Sequence, residues 1–144
     1  MQITRQADYA VRAVLYLAEL GPGARASTAR IADEQRIPAT FLAKIVSQLS
    51  AAGILHAVRG ARGGVMLARP PQEISLLEIV EAIDGPITLN QCTTDPAECP
   101  LGEECSVRDV WCGAQADLVK RLGETKFGQL VQAEKQLAPA HVQA

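Results

Sequence analysis

Residues 28–69 read TARIADEQRIPATFLAKIVSQLSAAGILHAVRGARGGVMLAR, and this stretch decides the fold. Ser27 or Thr28 can cap a short helix running to about Gln35, with Ile31 and Ala32 turned inward. Arg36-Ile37-Pro38 makes a tight connection, and Pro38 suits the start of the next helix. That helix, about 39–52, is expected to bury Phe41, Leu42, Ile45, Val46 and Leu49, and Gly53 ends it as a left-handed cap. Two apolar runs, 54–58 and 65–68, then flank Arg59-Gly60-Ala61-Arg62-Gly63-Gly64, the pattern of a hairpin with a glycine-rich tip. Two short helices, a tight turn and a small hairpin predict a winged helix-turn-helix, whose second helix fits a major groove.

The outward face of that second helix carries Ala39, Thr40, Ala43, Lys44, Ser47 and Gln48. Thr40, Ser47 and Gln48 can hydrogen-bond base edges or phosphate, and Lys44 can neutralise phosphate. Thr28 and Pro38, at the two helix starts, complete the candidate DNA-facing set. In the hairpin, Gly60 lets the backbone approach DNA closely, so Arg59 and Arg62 can enter a minor groove or clamp phosphates. The plainer reading is a glycine turn with two solvated arginines. Ala and Thr carry little base-specific information, so the operator is not legible here.

Outward from this core, residues 4–20 place Ala7, Ala10, Val11, Val14, Leu15, Leu17 and Ala18 at helical spacing, and Gly21-Pro22-Gly23 stops that helix. Ser75-Leu76-Leu77-Glu78 has the form of a capping box and opens a helix to about Ile83, ended by Gly85-Pro86. A longer helix carries Val107, Val110, Trp111, Ala114, Leu118 and Leu122 on one stripe, and Gly123 is expected to break it. Thr125 can cap a last short helix with Leu130, Val131 and Leu137 pointing one way, before a tail frayed from Pro139. The fold class expected is mainly α with a small β-hairpin wing. The expected divisions are a DNA-binding domain at 1–85, a cysteine loop at 86–106, dimerisation and C-terminal helices at 107–138, and a tail at 139–144.

Only five of the 144 residues are aromatic while 48% are apolar, so the core must be aliphatic. No apolar run approaches the roughly 18 residues of a membrane span, and the amphipathic N-terminus does not read as a signal peptide. The expected location is the cytoplasm, with no membrane partner and no small-molecule substrate. The net charge of −2 conceals a division. Residues 1–70 hold nine Lys/Arg against four Asp/Glu, a balance of +5, and residues 71–144 hold five against twelve, a balance of −7. Only the front half is suited to phosphate.

Three cysteines crowd one loop-like stretch, Cys92-x6-Cys99-x5-Cys105, among prolines, a glycine and acids. In a reducing compartment such thiols more often bind metal or sense redox state than form structural disulfides. No Cys-x2-Cys pair is present, so a zinc knuckle is disfavoured, and the spacings do not match common ferredoxin runs. Three spaced thiolates suit an iron–sulfur cluster that takes its remaining ligand from elsewhere. Cys112, beside Trp111, is either that ligand or a small buried hydrophobe. His56 and His141 lie in the wing and the tail and are set aside as ligands.

With these residues in place, the chain resembles the Rrf-type winged-helix transcription regulators, which include iron–sulfur sensors of the IscR, NsrR and RirA type. The resemblance runs from residue 1 to about 135, through DYAVRAVLYLA (8–18), IADEQRIPATFLAKIVSQLSAAGIL (31–55), RGARGGVMLA (59–68), SLLEIVEAIDG (75–85), the three cysteines and FGQLV (127–131). It implies a homodimer paired through the long helix, and a cluster held by Cys92, Cys99 and Cys105 near the dimer interface. Members differ in the fourth ligand. IscR-like members use a histidine three residues after the third cysteine, and Arg108 stands there in this chain. NsrR-like members use an aspartate of the first helix from the other subunit, and Asp8 matches it. The resemblance therefore favours a 4Fe–4S cluster over a 2Fe–2S cluster, unless Asp8 serves only as an i,i+4 ion-pair partner of Arg12. Where IscR-like members carry an acidic residue in the recognition helix, this chain has Ala43.

The function expected is an iron–sulfur-dependent repressor, not an enzyme, on double-stranded DNA with a pseudo-palindromic operator. It would sense nitric oxide, iron or cluster status, or redox stress. A cluster-free thiol switch is the alternative. An electron carrier or redox enzyme is remote, since no nucleotide-binding glycine pattern or catalytic set accompanies the cysteines.

Overall fold

The computed structural model describes residues 2–90, 93 and 104–142, with side chains as far as Leu137. Six α-helices and one two-stranded hairpin follow in the order α1 (Arg5–Glu19), α2 (Thr28–Gln35), α3 (Ala39–Ala51), β1 (Leu55–Val58), β2 (Gly64–Leu67), α4 (Leu76–Asp84), α5 (Ser106–Glu124) and α6 (Phe127–Val142). A 3₁₀ turn, Pro71–Glu73, leads into α4. The architecture is the one expected: mainly helical, with a small antiparallel hairpin.

Capping chemistry sets the helix starts. The Thr4 side chain accepts from the Ala7 amide at 3.1 Å, and its hydroxyl donates to Asp84 Oδ1 at 2.5 Å. One threonine thus starts α1 and ties it to the end of α4. At α2 the cap is Ser27, which accepts from the Arg30 amide at 3.1 Å. The turn into α3 is made by Arg36, the one described non-glycine residue with positive φ (54°). The Ile37 amide reaches back to Ala32 O at 2.9 Å, satisfying a carbonyl the helix would otherwise orphan. Ser75 and Glu78 form the full reciprocal capping box at α4.

A single aliphatic core joins these elements. Val14, Leu17, Ile31, Leu42, Ile45, Leu49, Ile54, Ile74, Ile79 and Phe127 are all at or below 2% exposure. The hairpin pairs Leu55 with Leu67 and Ala57 with Val65. Ala26 adds a bridge to Val65 through two backbone bonds, of 3.1 and 2.8 Å, that fasten the wing to the start of α2.

Four local expectations are corrected. Phe41 is 42% exposed, because it stands on the flank of α3 and packs edge-on against Tyr9 of α1. Gly123 does not break α5, which runs one residue further; nothing but a side-chain methyl of Leu77 meets the space beside it. Thr125 is no N-cap: its hydroxyl donates to Arg121 O at 2.8 Å and closes α5, so α6 starts at Phe127. The last helix is not short. Phe127 and Val131 anchor it in the core, and it continues through Pro139 to Val142, while Leu137 turns outward at 54% exposure. One proline removes one backbone donor, a local cost that an otherwise anchored helix can carry.

Alone among the described α-helices with full side chains, α5 contributes no buried residue. Its half-buried positions, Arg108, Cys112, Gln115, Leu118, Val119, Leu122 and Gly123, share one side. Val107 (51% exposed), Val110 (65%) and Trp111 (41%) form a separate stripe.

Candidate nucleic-acid interface and cysteine loop

The candidate recognition surface is built on α3. Leu42, Ile45 and Leu49 pin one side of the helix into the core. Helical periodicity therefore turns Thr40, Ala43, Lys44 and Ser47 outward, and all four are exposed, as are Pro38 and Ala39 beside them. Thr28 is exposed at the start of α2. Gln48 differs from the expectation of a free side chain. It is half-buried, and its Oε1 accepts from Gln6 Nε2 at 2.6 Å, so it ties α3 to α1.

Arg59, Gly60 and Arg62 are all exposed at the tip of the wing. Two glycines make this tip by necessity. A Cβ on Gly63 would lie 2.2 Å from Val58 O, and one on Gly64 would lie 2.9 Å from Ala26 O, at φ +154°. The Gly63 amide also donates to Gly60 O at 2.9 Å. The glycines thus shape the tip that presents the two arginines. Thr28, α3 and the wing tip lie in the basic half of the chain, which suits a phosphate-lined partner.

α1 connects this reader to the rest. Arg12 donates to Asp8 Oδ2 at 3.0 Å and to Gln35 O at 3.2 Å, and its guanidinium carbon stands 4.8 Å from the centroid of the Tyr9 ring. Tyr9 in turn packs edge-on to Phe41, with centroids 5.8 Å apart. The Asp8–Arg12 pair weighed from the sequence is therefore formed, with the Asp8 side chain 59% exposed. An exposed i,i+4 pair contributes only a few tenths of a kcal/mol, about 0.3–0.5, so it does not commit the carboxylate. The links Gln6–Gln48, Arg12–Gln35 and Tyr9–Phe41 were not found from the sequence. Each joins residues on different helices, and no local spacing signals them.

Cys92 and Cys99 lie outside the described residues, as does most of the loop between α4 and α5. Cys105 is described: a free, half-buried thiol at the N-cap of α5. Cys112 is also free and half-buried, seven residues on and on the same side of α5. Arg108, in the position where a histidine would complete the other ligand set, carries a buried Nε with no hydrogen-bond partner among the described residues. Gln115, another residue the sequence did not single out, accepts at one oxygen from the Leu89 amide (3.0 Å) and from the Thr93 hydroxyl (2.7 Å). It holds the chain leaving α4 against α5.

The sequence profile of the Rrf2 family, described as iron-dependent transcriptional regulators, matches residues 3–133. The chain belongs to the Rrf2 family. The fold agrees. CymR (YrzC), the global cysteine regulator of B. subtilis, superposes with a TM-score of 0.79 at 26% identity, covering 92% of this chain and 98% of that one. The oxidised form of Staphylococcus aureus CymR gives 0.72 at 25% identity, covering 91% and 96%. T. potens IscR gives 0.77 at 21% identity, covering 95% and 90%, which speaks to the fold alone. This Rrf2 protein thus has the family and fold of DNA-binding transcription regulators, not of enzymes. Among the described residues, no helix is long and apolar enough to cross a membrane.

Proposed function

We propose that this Rrf2 protein is a homodimeric, iron–sulfur-dependent repressor that binds a pseudo-palindromic operator. The observation that carries the reading is the placement of Cys105. It is a free thiol at the junction where the cysteine loop enters α5, the helix whose exposed Val107–Val110–Trp111 stripe offers a face to a second copy.

The described residues fit a cluster. Cys105 is a half-buried thiol at the start of α5, the Arg108 Nε one turn on has no acceptor among the described residues, and Asp8 keeps an accessible carboxylate. Cys92, Cys99 and Cys105 would hold the cluster, with Asp8 of the second subunit as fourth ligand and Cys112 as the lesser choice. A 4Fe–4S cluster, or failing that a 2Fe–2S cluster, supplies the reactivity toward nitric oxide, oxygen or iron shortage that serves as the signal.

The chain's own residues convert that signal. With the cysteines gathered, the loop is closed on α5, whose first turn starts at Cys105 and whose Gln115 holds Leu89. An Asp8 engaged across the dimer leaves Arg12, which touches Gln35 and Tyr9 and, through Tyr9, Phe41 on α3. Release of the cysteines returns Asp8 to Arg12 and relaxes the spacing of the two α3 helices. Affinity is shared between two half-sites, so a small change of spacing costs a large factor. Thr28, Pro38, Ala39, Thr40, Ala43, Lys44, Ser47 and Gln48, with Arg59, Gly60 and Arg62 of the wing, form the proposed DNA contact set. The cytoplasm is the compartment this chemistry requires.

Native mass spectrometry of protein purified without oxygen tests the cofactor. The expected species is a dimer with about four irons and four sulfides per subunit. A dimer that stays metal-free after reconstitution contradicts the reading. A second reading would then stand, favoured by the free thiols of Cys105 and Cys112 and by the likeness to CymR. In it, peroxide oxidises two thiols to a disulfide and is itself reduced to water. Its signature is a reversible loss of two hydrogens per bridge.

A further inference from the structure

Arg25 lies outside the contact set proposed above, in the turn between α1 and α2. No helical periodicity marks it, and its sequence neighbours Ala24 and Ala26 say nothing of a role. The fold places it against the wing. Ala26 exchanges two backbone bonds with Val65 of β2, its amide donating to Val65 O at 3.1 Å and its carbonyl accepting from the Val65 amide at 2.8 Å. One residue away, the Arg25 side chain is carried to the wing tip itself, where Nη1 donates to the Arg62 carbonyl at 3.4 Å.

At that length the bond is a weak one, and it takes only one of the five guanidinium donors. Arg25 is exposed, and among the described residues it forms no ion pair. The two segments that the Ala26–Val65 bridge brings together are uniformly basic. Residues 20–32 and 53–72 carry Arg25, Arg30, Arg59, Arg62 and Arg69 and no Asp or Glu. Arg30 stands over the Tyr16 ring at 5.8 Å, and Arg69 is paired with Glu78 at 2.6 Å. Within these segments that leaves Arg25, Arg59 and Arg62 without an ion-pair or ring partner among the described residues, and the tip carries a positive field that an entering phosphate would neutralise.

We propose that Arg25 is a further DNA-contact residue, whose guanidinium neutralises a backbone phosphate beside the wing tip. Its bond to the Arg62 carbonyl holds the long side chain at the tip, which lowers the ordering cost of the contact. The inference rests on the DNA-binding reading above. A phosphate contact positions the protein and carries no base preference, so Arg25 adds affinity evenly across sequences.

The test titrates full-length protein, purified without oxygen, onto an operator selected from random DNA and onto single-base variants of it, over a range of salt. The slope of log affinity against log salt reads the phosphates neutralised, about 0.9 for each on B-DNA. In Arg25→Gln each subunit of the dimer loses one contact, so the slope should flatten by about 1.8. Affinity should fall by a similar factor on the operator and its variants. Arg25→Lys keeps the charge and should restore most of the slope. A contact is separated from a mere brace by repeating Arg25→Gln in an Arg62→Gln background, where the flattening should persist. An unchanged slope in Arg25→Gln overturns the proposal. So does a flattening that disappears in the Arg62→Gln background, which makes Arg25 only a support for Arg62. Absence of any salt-dependent DNA binding by the wild-type protein overturns the DNA-binding reading itself, and this inference with it.

Discussion

Phe127→Ala should destabilise the winged-helix part of the molecule, although residue 127 lies near the far end of the chain. The ring is fully buried in the core that also contains Leu17, Ile74 and Ile79. Two backbone bonds hold it there: Phe127 N to Ile74 O at 3.0 Å, and Leu76 N to Thr125 O at 2.9 Å. They flank the Ser75–Lys126 bridge, so the segment entering α6 behaves as an extra strand beside the start of α4. Truncating a buried Phe to Ala removes its transfer energy and leaves a cavity, a cost of about 3–5 kcal/mol. Against a total stability of about 5–15 kcal/mol this is a large share. For a chain near this size it corresponds to a drop in Tm on the order of 10 °C. The assay is urea unfolding followed by circular dichroism at one fixed protein concentration, because dimerisation shifts apparent stability. Leu137→Ala, at 54% exposure on the same helix, is the control and should stay within about 0.5 kcal/mol of wild type. A Phe127→Ala loss below about 1 kcal/mol, or an early separate transition for α6, would refute the claim that α6 is part of the winged-helix core.

Other residues give equally direct tests. Burial alone would raise the Glu78 carboxyl, but bonds from the Ser75 amide and Arg69 hold it below the ordinary value of 4.5. Its contribution to stability is therefore present above that value and is lost as pH falls through the lower, folded one. The stability gap between wild type and Glu78→Gln should close as the pH of the unfolding series is taken below 4.5. Ser75→Ala removes the same cap and should cost about 1 kcal/mol in the same unfolding assay. Gly63→Ala forces the wing to rebuild around Val58 O. It should weaken DNA binding in a fluorescence titration while leaving the helical circular dichroism near wild type. Trp111→Glu places a charge in the exposed stripe of α5 and should shift the dimer to monomer in sedimentation, a loss of at least about 2 kcal/mol if Trp111 is a central contact.

Much of the architecture was legible because its signals are local. The Ser75–Glu78 box, Gly53 at φ 76° and the apolar spacing of α1 and α3 each state their structure within a few residues. What was missed is non-local. Phe41 reads as a core residue on periodicity, but its exposure is decided by where Tyr9 of another helix stands. Gly123 and Pro139 carry breaker chemistry, yet the packing of Phe127 and the spare room beside Gly123 outweigh it. For the candidate site, the outward set on α3 followed from helical geometry. Gln48 and Gln115 did not, since a glutamine's partner cannot be read from its neighbours in sequence. Cys92 and Cys99 remain a reading of residue type and spacing.

The most direct test of the account compares cluster-loaded and cluster-free dimers on one operator, selected from random DNA by the loaded protein, at one salt concentration. The account predicts that the loaded dimer binds more tightly, by roughly 5–150-fold, the usual range of allosteric coupling. It also predicts that Asp8→Ala erodes this difference. Equal affinity of the two forms would contradict it.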